Sequence, residues 1–360
     1  MTTLRPIFLA ATLLAGALVG CSGAGLLGTD YNNIEYLCCA WGPAMTLPSP
    51  TNATAQFNDA EDEVYFLKQI TSGRSKSVSI YLCKMKADGS GKSEIKELWH
   101  NPNHPIDTQA QSTWMDVNRK THKIAFSITY AGSDITGLWT MKLDGSELKR
   151  IITPRNVDGR LQAIDCPSWT PDGQRIVWGE SLRGSVTNWS RINICDADGM
   201  DPKRISDGPE DCQPHVSPDG QRIAFIHWIV KGDIHDSWLW LMDIDGINQR
   251  PLPNPSAQKE WSAQAHWGIY PAWSTDGNSV LLTGMTGMIV DTKTGKHLLL
   301  GQPETNGKRY TYGWPHWGRN GLVGFTVGGI LVTDLKLKEA KFIGSSRLVE
   351  CSGKAEADRW

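Results

Sequence analysis

Hydrophobic and polar positions alternate along this chain in short runs that end at turns rich in proline, aspartate and glycine. Residues 213–225 (QPHVSPDGQRIAF) are a short apolar run, a Ser-Pro-Asp-Gly turn and a second run that begins at Ile223. Proline presets φ for the turn, aspartate hydrogen-bonds its own backbone, and glycine accepts a positive φ. A further run, residues 239–246 (LWLMDIDG), ends in an Asp-Gly turn. The pattern predicts two consecutive hairpins, which make a four-stranded antiparallel unit.

The unit recurs along the chain. Its first turn aligns at Glu61, Thr121, Gly173, Gly220, Gly277 and Gly321, with spacings of 60, 52, 47, 57 and 44 residues. Four strands repeated at this period are the signature of a β-propeller, in which each blade buries its faces against its neighbours. The sequence therefore predicts an all-β fold, a six-bladed β-propeller of four-stranded antiparallel blades.

The repeats also carry a family resemblance. Residues 167–178 (PSWTPDGQRIVW) and 192–199 (INICDADG) resemble the WD40-like repeat of the TolB-type six-bladed propellers, and the resemblance extends over residues 53–345. It implies a cell-envelope location and the binding of proteins or glycans across one face of the propeller. The separate N-terminal α/β domain of TolB has no counterpart in this sequence.

The first 20 residues have the features of a secretory signal, with Arg5 before an apolar run at residues 7–19 that is too short to span a membrane. The sequence LVGC at residues 18–21 resembles the bacterial lipobox, whose cysteine receives a diacylglyceryl group. This resemblance implies that Cys21 is lipidated. Ser22, in place of aspartate, resembles the outer-membrane sorting pattern.

These features predict three segments: a lipoprotein signal peptide (1–20), a lipidated tether (21–33) and the six-bladed propeller (34–360). We expect a monomer that contacts the outer membrane through its lipid alone and faces the periplasm or the cell surface. Two ways of closing the ring remain open. Residues 31–41 add a strand to the last blade, or residues 346–360 cover the seam.

The formal net charge of −2 argues against nucleic-acid binding, which needs a basic stripe. The 16 tryptophans are unusual for 360 residues. Blade positions occupied by Trp169, Trp273 and Trp317 predict packing between blades. Other tryptophans lie at strand starts or in connections, where they are candidates for a stacking surface: Trp228, Trp261, Trp267 and Trp314.

Seven cysteines remain besides Cys21, so at least one is unpaired. Export permits disulfides. Cys166 and Cys212 occupy nearly equivalent points on neighbouring inner strands and are one candidate pair, and Cys38 or Cys39 with Cys351 is another. Cys195 occupies the position of Met141 and Met242 in other blades, which predicts a core residue. None of the cysteine spacings resembles a zinc motif.

The loops of the two propeller faces differ. We call the face on which the first strand of each blade begins the upper face. The lower turns are short and repetitive, whereas long upper loops are predicted at residues 68–79, 127–137, 179–191 and 227–238. Loops of this kind on a rigid scaffold often carry function. They predict a one-sided cleft, to which the connection 254–268 adds Trp261, His266 and Trp267. His227 and His235 fall in one such loop and are expected to be solvated.

Several side chains are expected near the upper mouth of the channel. The predicted ligand-binding face consists of Trp114, Asp165, Gln213, Trp261, His266, Trp267 and Trp314. His215, His266 and His316 are candidate ligands for a divalent metal, because imidazole suits manganese, zinc and iron. The oligogalacturonate lyases are a second, looser resemblance, and it implies manganese held by histidine and glutamine. The alternative is that His215 and His316 pack between blades, as Ser168 and Ala272 do at the same position.

No common catalytic signature is present: the sequence has no Gly-x-Ser-x-Gly, His-Glu-x-x-His or P-loop motif. The repeated aspartates are predicted to serve in turns and not in catalysis, because each occupies a turn position of the repeat: Asp144, Asp172, Asp198, Asp219 and Asp245. Arg155 and Arg160 are expected in a solvated connection, with contact to an acidic ligand as the alternative. The sequence thus favours a non-enzymatic scaffold, without a cofactor, for an envelope protein or polysaccharide. The alternative is a polysaccharide lyase that uses manganese or another divalent metal on an acidic glycan.

Overall fold

The protein is described by a computed structural model. It describes residues 34–37, 55–57, 63–72, 77–86, 90–102, 112–129, 135–157, 160–182, 189–206, 208, 210–231, 234–253, 270–283, 287–300, 304–305, 308–309, 315–317, 322–326, 330–334 and 340–343. The described residues form 28 β-strands and contain no helix, hence none long and apolar enough to cross a membrane. The all-β prediction is confirmed.

The strands fall into consecutive antiparallel sheets, which we number in chain order. Sheet 1 contains β1 (Ile34–Leu37), β2 (Ala55–Phe57), β3 (Glu63–Ser72), β4 (Ser77–Lys86) and β5 (Ser93–Asn101). Sheet 2 contains β6 (Ser112–Asn118), β7 (Lys123–Thr129), β8 (Gly137–Lys142) and β9 (Lys149–Ile152). Sheet 3 contains β10 (Asn156–Val157), β11 (Arg160–Trp169), β12 (Arg175–Leu182), β13 (Trp189–Asp196) and β14 (Lys203–Arg204).

The second half of the chain continues the series. Sheet 4 contains β15 (Asp211–Val216), β16 (Arg222–Lys231), β17 (Ile234–Asp243) and β18 (Arg250–Pro251). Sheet 5 contains β19 (Tyr270–Trp273), β20 (Ser279–Thr283), β21 (Gly287–Asp291) and β22 (His297–Leu300). A two-stranded hairpin of β23 (Glu304–Thr305) and β24 (Lys308–Arg309) precedes sheet 6, which contains β25 (His316–Trp317), β26 (Leu322–Thr326), β27 (Ile330–Asp334) and β28 (Ala340–Ile343). Within sheets 2, 4, 5 and 6 each strand pairs with the next along the chain.

The predicted turn chemistry is present and repeats in detail. In sheet 4 the Ser217 hydroxyl donates to Asp219 Oδ1 at 2.5 Å, and the same oxygen accepts the backbone N–H of Gln221 at 3.0 Å. Thr170 and Asp172 make the equivalent bond in sheet 3, and Ser274 and Asp276 in sheet 5. The turn role of the aspartates is confirmed, since each accepts a backbone N–H two residues on: Asp144, Asp172, Asp198, Asp219 and Asp245.

The core lies between successive sheets. Trp169 of sheet 3 packs with Ala125 and Leu138 of sheet 2, and Trp273 of sheet 5 packs with a cluster of sheet 4 that includes Trp238. The packing role predicted for Trp169 and Trp273 is confirmed. Cys195 is buried within the same core as Trp169, as its position opposite Ile176 requires.

Glycine in the second turn of a sheet presses against the preceding sheet. Gly199 has a φ of 88°, and a Cβ there would lie 2.3 Å from the carbonyl oxygen of Ile151. Gly246 has a φ of 90°, and a Cβ there would lie 2.2 Å from the carbonyl oxygen of Ile205. Only glycine satisfies both the left-handed backbone and this close approach.

The long upper loops predicted at 68–79, 179–191 and 227–238 are largely wrong. Strand β3 continues to Ser72 and β4 begins at Ser77, while β16 continues to Lys231 and β17 begins at Ile234. A hairpin ladder pairs its own backbone groups, so it extends beyond the core without needing apolar residues. Polar side chains in these segments were therefore a poor signal of a loop.

Strand β1 answers one question about ring closure. Ile34–Leu37 pairs with Lys68–Thr71 of β3 in sheet 1, so the prediction that residues 31–41 add a strand to the last blade is wrong. The reason is geometric: β2 covers only Val64–Phe66 of β3 and leaves the rest of that edge open. The alternative segment, 346–360, lies outside the described residues.

The disulfide predicted between Cys166 and Cys212 is wrong, because neither cysteine is disulfide-bonded. Register explains the error. The first strands of sheets 3 and 4 carry the same bulge, and in their shared register Cys212 is equivalent to Asp165, and Cys166 to Gln213. Cys38, Cys39 and Cys351 lie outside the described residues.

Candidate functional site

The first strands of successive sheets lie side by side, with β11 between β6 and β15, and β19 between β15 and β25. Near the upper ends of these strands, a residue before proline projects at the same position in each of sheets 3, 4 and 5: Cys166, Gln213 and Tyr270. Cys166 and Gln213 have positive φ values of 50° and 52°. The β-bulge at these residues redirects side chains, as bulges commonly do beside functional sites.

Trp114 is the centre of this upper mouth. Its indole N–H donates to Asp165 Oδ1 at 3.2 Å, and its ring lies 5.0 Å from that of Tyr270 at an interplanar angle of 59°. Asp165 Oδ2 accepts the Ser181 hydroxyl at 3.3 Å. Trp114 and Tyr270 are buried and Asp165 is half-buried, so the aromatic pair is covered and Asp165 is partly exposed beside it.

A cavity of about 50 Å³ lies beside Trp114 and is lined by Asp116, Gln213, His215 and Tyr270 among others. This space holds a few water molecules at most. The structure therefore brings together four residues that the sequence placed at the mouth: Trp114, Asp165, Gln213 and His215.

His215 has an unusual environment. Its Nδ1 atom is buried and has no hydrogen-bond partner, while its backbone carbonyl accepts the Trp273 indole N–H at 2.9 Å. Burial lowers the pKa of His215 to about 4, so the ring is neutral at pH 7. A neutral imidazole can accept a proton or a metal ion. Among the described residues, no group of three histidine, cysteine or acidic side chains could hold a metal.

The remaining predicted site residues cannot be placed with these. Cys21, Trp261, His266, Trp267 and Trp314 lie outside the described residues, and His316 is described only as backbone of β25. Trp228, a candidate for a stacking surface, is half-buried, and its indole N–H donates to Cys212 Sγ at 3.2 Å.

Sequence reasoning missed a second polar group, which we call the Asp–His pair: Asp211 and His227. His227 Nδ1 lies 2.6 Å from Asp211 Oδ1, and Asp211 is 1% exposed. His227 belongs to β16, so its expected place in a solvated loop is wrong, and His235 likewise belongs to β17. A signal was available, because each member of the pair is eight residues from Asp219 of the turn, directly opposite the other in the hairpin.

Glu210 adjoins the Asp–His pair. Burial and then the neighbouring Asp211 charge raise the pKa of Glu210 to about 7, while His227 opposes both effects. Its backbone carbonyl accepts the Trp228 N–H at 3.0 Å, and its backbone forms a bridge with Ser190 of sheet 3. The group therefore lies at the seam between sheets 3 and 4.

A third polar group lies at the same level of sheet 3. Glu180 is 7% exposed, and its Oε2 accepts the Asn193 side-chain amide at 3.0 Å. Its Oε1 has no hydrogen-bond partner, although Arg155 Nη2 lies 3.7 Å away. Burial raises the pKa of Glu180, and the Arg155 charge opposes that rise. Arg155 is thus next to a carboxylate of its own chain, and the Arg160 side chain lies outside the described residues.

A larger cavity, of about 390 Å³, opens on the lower face between the turns of sheets 2, 3 and 4. Lys120 and Arg175 line it together with Asp172 and Asp219. Both carboxylates are already bonded within their turns. The cavity is thus a mixed-charge depression made by repeated turns.

No protein-family model matches the chain, and no curated protein matches it. Similar solved structures include an α-L-arabinanase from Penicillium chrysogenum complexed with arabinobiose, with a TM-score of 0.51 at 14% identity over 85% of this chain and 98% of that one. They also include the β-propeller domain of the Trilobed protease from Pyrococcus furiosus (TM-score 0.47, 13% identity, 82% and 86%) and TolB from Agrobacterium tumefaciens (TM-score 0.43, 12% identity, 82% of each chain).

At these identities the similarity concerns the fold alone. The solved structures that this chain is similar to thus include a TolB and a β-propeller domain. The chain is an all-β protein of consecutive antiparallel sheets with propeller proteins among its structural neighbours.

Proposed function

We propose that this protein is a binding scaffold that holds a protein or glycan partner on its upper face. The proposal rests on the small volume of the channel mouth, where the described side chains leave a cavity of only about 50 Å³ beside Trp114. That space is too small for a sugar ring or an amino-acid side chain of ordinary size. Recognition therefore takes place on the surface around Asp165, Ser181 and Trp228, all of which are partly exposed.

The scaffold is a closed ring of six blades in this proposal, each blade being one of sheets 1–6. Contacts between first strands support closure, because β2 of sheet 1 lies against β6 of sheet 2 on one side and against β25 and β26 of sheet 6 on the other. A ring hides the exposed faces that the first and last sheets would otherwise present.

We further propose that a lipid on Cys21 anchors the scaffold to the outer membrane as a monomer. The support is the sequence LVGC at residues 18–21, and several acyl chains on one residue give stable anchoring. Cys21→Ser should leave an unprocessed or soluble protein in cell fractionation. Membrane retention of that variant would contradict the anchor.

The partner is found by photo-crosslinking in the native envelope from a cross-linking amino acid at position 228, followed by mass spectrometry. A matched control carries the same amino acid at Met200, which is 64% exposed in the second turn of sheet 3. We expect one partner, protein or glycan, captured from position 228 and not from position 200. Equal capture from both positions would contradict recognition on the upper face.

A metal-dependent polysaccharide lyase is the second candidate, and the unpartnered Nδ1 of His215 favours it. The test is elemental analysis of residues 22–360 purified without chelator. Near-stoichiometric manganese or another transition metal, lost on His215→Ser, would establish the metal site. A folded, metal-free protein would contradict the lyase and leave the scaffold in place.

A further inference from the structure

The cavity of about 390 Å³ on the lower face, which we call the lower cavity, is lined by two cations, Lys120 and Arg175. Lys120 is exposed and Arg175 is half-buried. No hydrogen bond or ion pair joins either side chain to any residue that the structure describes. The volume lies within the range of sites that bind small molecules. The lower cavity therefore offers two charged groups that the described part of the chain does not use.

Arg175 lacks the aromatic ring that its counterpart in the next repeat has. Arg222 occupies the same position in sheet 4, and its guanidinium lies 4.7 Å from the ring centroid of Trp273 in sheet 5. Val216 ends the first strand of sheet 4 as Trp273 ends that of sheet 5. The repeat that follows Arg175 thus has valine where the repeat that follows Arg222 has tryptophan, and no described aromatic ring packs on Arg175.

The Arg175 guanidinium also lies away from the next turn. A Cβ placed on Gly277 would lie 3.6 Å from Arg222 Nη2, whereas a Cβ placed on Gly220, the equivalent glycine, would meet only Pro171 within 4 Å. Gly220 and Pro171 both line the lower cavity. The cavity therefore lies at the junction where the arginine–tryptophan contact of the next pair of sheets is missing. A guanidinium stacks readily on an aromatic face, so a ligand ring can take the place of the tryptophan.

Two carboxylates in the lower cavity balance the two cations. Asp172 Oδ1 accepts the Thr170 hydroxyl at 2.6 Å, and Asp219 Oδ1 accepts the Ser217 hydroxyl at 2.5 Å. These turn bonds leave the second oxygen of each carboxylate. Asp172 Oδ2 has no hydrogen-bond partner among the described residues, and Asp219 Oδ2 lies 3.6 Å from Arg222. A lining with both signs of charge is complementary to a zwitterion and not to an ion of one sign.

We propose that the lower cavity binds a free aromatic amino acid. The ligand ring stacks on the Arg175 guanidinium, as Trp273 packs against Arg222. The α-carboxylate of the ligand pairs with Lys120, and its α-ammonium group pairs with Asp172. This site is on the face opposite to the proposed partner surface, so it goes beyond the scaffold function and does not depend on it.

Isothermal titration calorimetry of the purified protein with L-tryptophan tests the proposal, and we expect saturable binding of one molecule per chain. L-tryptophanamide lacks the carboxylate, and N-acetyl-L-tryptophan lacks the ammonium charge. Each should bind about 5-fold more weakly than L-tryptophan, which corresponds to the loss of one partly exposed ion pair. L-leucine lacks the ring and should bind about 10-fold more weakly.

Two variants test the contacts separately. Lys120→Gln should bind L-tryptophan and L-tryptophanamide equally, because the residue that distinguishes these ligands is gone. Arg175→Lys keeps the charge but loses the planar group, so its preference for L-tryptophan over L-leucine should disappear. Lys203→Gln is the matched control, since Lys203 is an exposed lysine that already pairs with Asp201 at 2.6 Å, and it should leave every affinity unchanged. Each comparison is made between ligands of one variant, so a smaller folded fraction does not imitate the result.

Three outcomes would overturn the proposal. The first is the absence of saturable L-tryptophan binding by the folded wild type. The second is equal binding of L-tryptophan and N-acetyl-L-tryptophanamide, because a ring that is recognised without its charges is what a side chain of a protein partner offers. The third is an unchanged preference for L-tryptophan over L-tryptophanamide in Lys120→Gln. None of these outcomes bears on the upper face, which crosslinking tests independently.

Discussion

The backbone N–H of Trp169 in sheet 3 donates to the carboxylate of Asp116 in sheet 2 at 2.7 Å. Ser168 makes the equivalent bond one sheet further on, where its hydroxyl oxygen accepts the Val216 N–H at 3.0 Å. Asp116 and Ser168 occupy equivalent positions in the first strands of sheets 2 and 3, and each connects its sheet to the next. In sheet 2 the residue at this position is ionisable, and burial raises the pKa of Asp116 to about 6.

Asp116→Asn should stabilise the protein at pH 7 to 8. The pKa of Asp116 is higher in the folded chain than the ordinary 3.8, so the folded state binds the proton more tightly between pH 4 and 6. The stability that this proton contributes is present below about pH 4 and lost as pH rises through 6. Asparagine keeps an acceptor for Trp169 without a charge. We expect a gain of about 2 kcal/mol at pH 8, allowing for partial exposure, and none at pH 4.

Urea unfolding at pH 4, 6 and 8 measures this difference. Asp172→Asn is a control for which the change in the free energy of unfolding should have the opposite sign, because hydrogen bonds from Thr170 and Gln174 lower the pKa of Asp172. That variant should be less stable than wild type at pH 8. A stability of Asp116→Asn that parallels wild type at every pH would contradict the prediction.

His215→Ser should make the protein less sensitive to acid. Burial lowers the pKa of His215 to about 4 from 6.5, so the unfolded chain binds more protons between these values. The stability contributed by the neutral ring is present above pH 6.5 and lost as pH falls toward 4. The melting temperature of wild type should drop more steeply over that window than that of the serine variant. Parallel curves would show that His215 does not titrate on unfolding.

Arg222→Lys should weaken the contact between sheets 4 and 5. The Arg222 guanidinium donates to the Gly277 carbonyl at 3.0 Å and lies 4.7 Å from the Trp273 ring centroid. Lysine keeps the charge but loses the planar group that makes both contacts. We expect a loss of about 1 kcal/mol in the free energy of unfolding. Arg175→Lys, at the same repeat position and without such contacts among the described residues, should change it little.

The thiols of Cys195 and Cys212 should react slowly in the native protein. Burial raises the pKa of Cys195 to about 12 and also raises that of Cys212, which removes the reactive thiolate. Iodoacetamide at pH 8 followed by peptide mass spectrometry should detect both sites as unmodified until denaturant is added. Rapid alkylation of native Cys212, or a Cys166–Cys212 disulfide in the unreduced digest, would contradict the structure.

Deletion of residues 313–345 tests closure of the ring. Without sheet 6, β2 and β19 both lose the neighbour that they contact in the full chain. We expect the truncated protein to lose cooperative unfolding, since each blade buries its faces only against its neighbours. A sharp thermal transition in the truncated protein would contradict a closed six-bladed ring.

The hairpins could be predicted because their determinants are local. Ser217, Asp219 and Gly220 close a turn within a few residues, so the turn and the strands beside it follow directly from the sequence. The position of the mouth could also be predicted from the sequence, because the repeat aligns Gln213 with Tyr270 without knowledge of any contact.

The rest depends on register and on contacts between sheets. Cys212 is equivalent to Asp165 and not to Cys166, and this offset of one position separates the two cysteines that were predicted to pair. The bulge in β15 gives Gln213 its positive φ at the mouth. The Asp–His pair was missed because the polar residues around His227 resemble a loop, whereas the paired backbone extends β16 well beyond the core. Such extensions are decided by pairing across the hairpin, which hydrophobic periodicity does not record.

Gly199 and Gly246, each in contact with a carbonyl of the preceding sheet, have an evolutionary consequence. Each repeat carries within its own sequence the residue that seats it on the repeat before it. A tandem duplication of one repeat would therefore produce a copy that docks on its parent without new mutations. Loss of one of these glycines should in turn disturb the docking of that repeat and of every copy made from it.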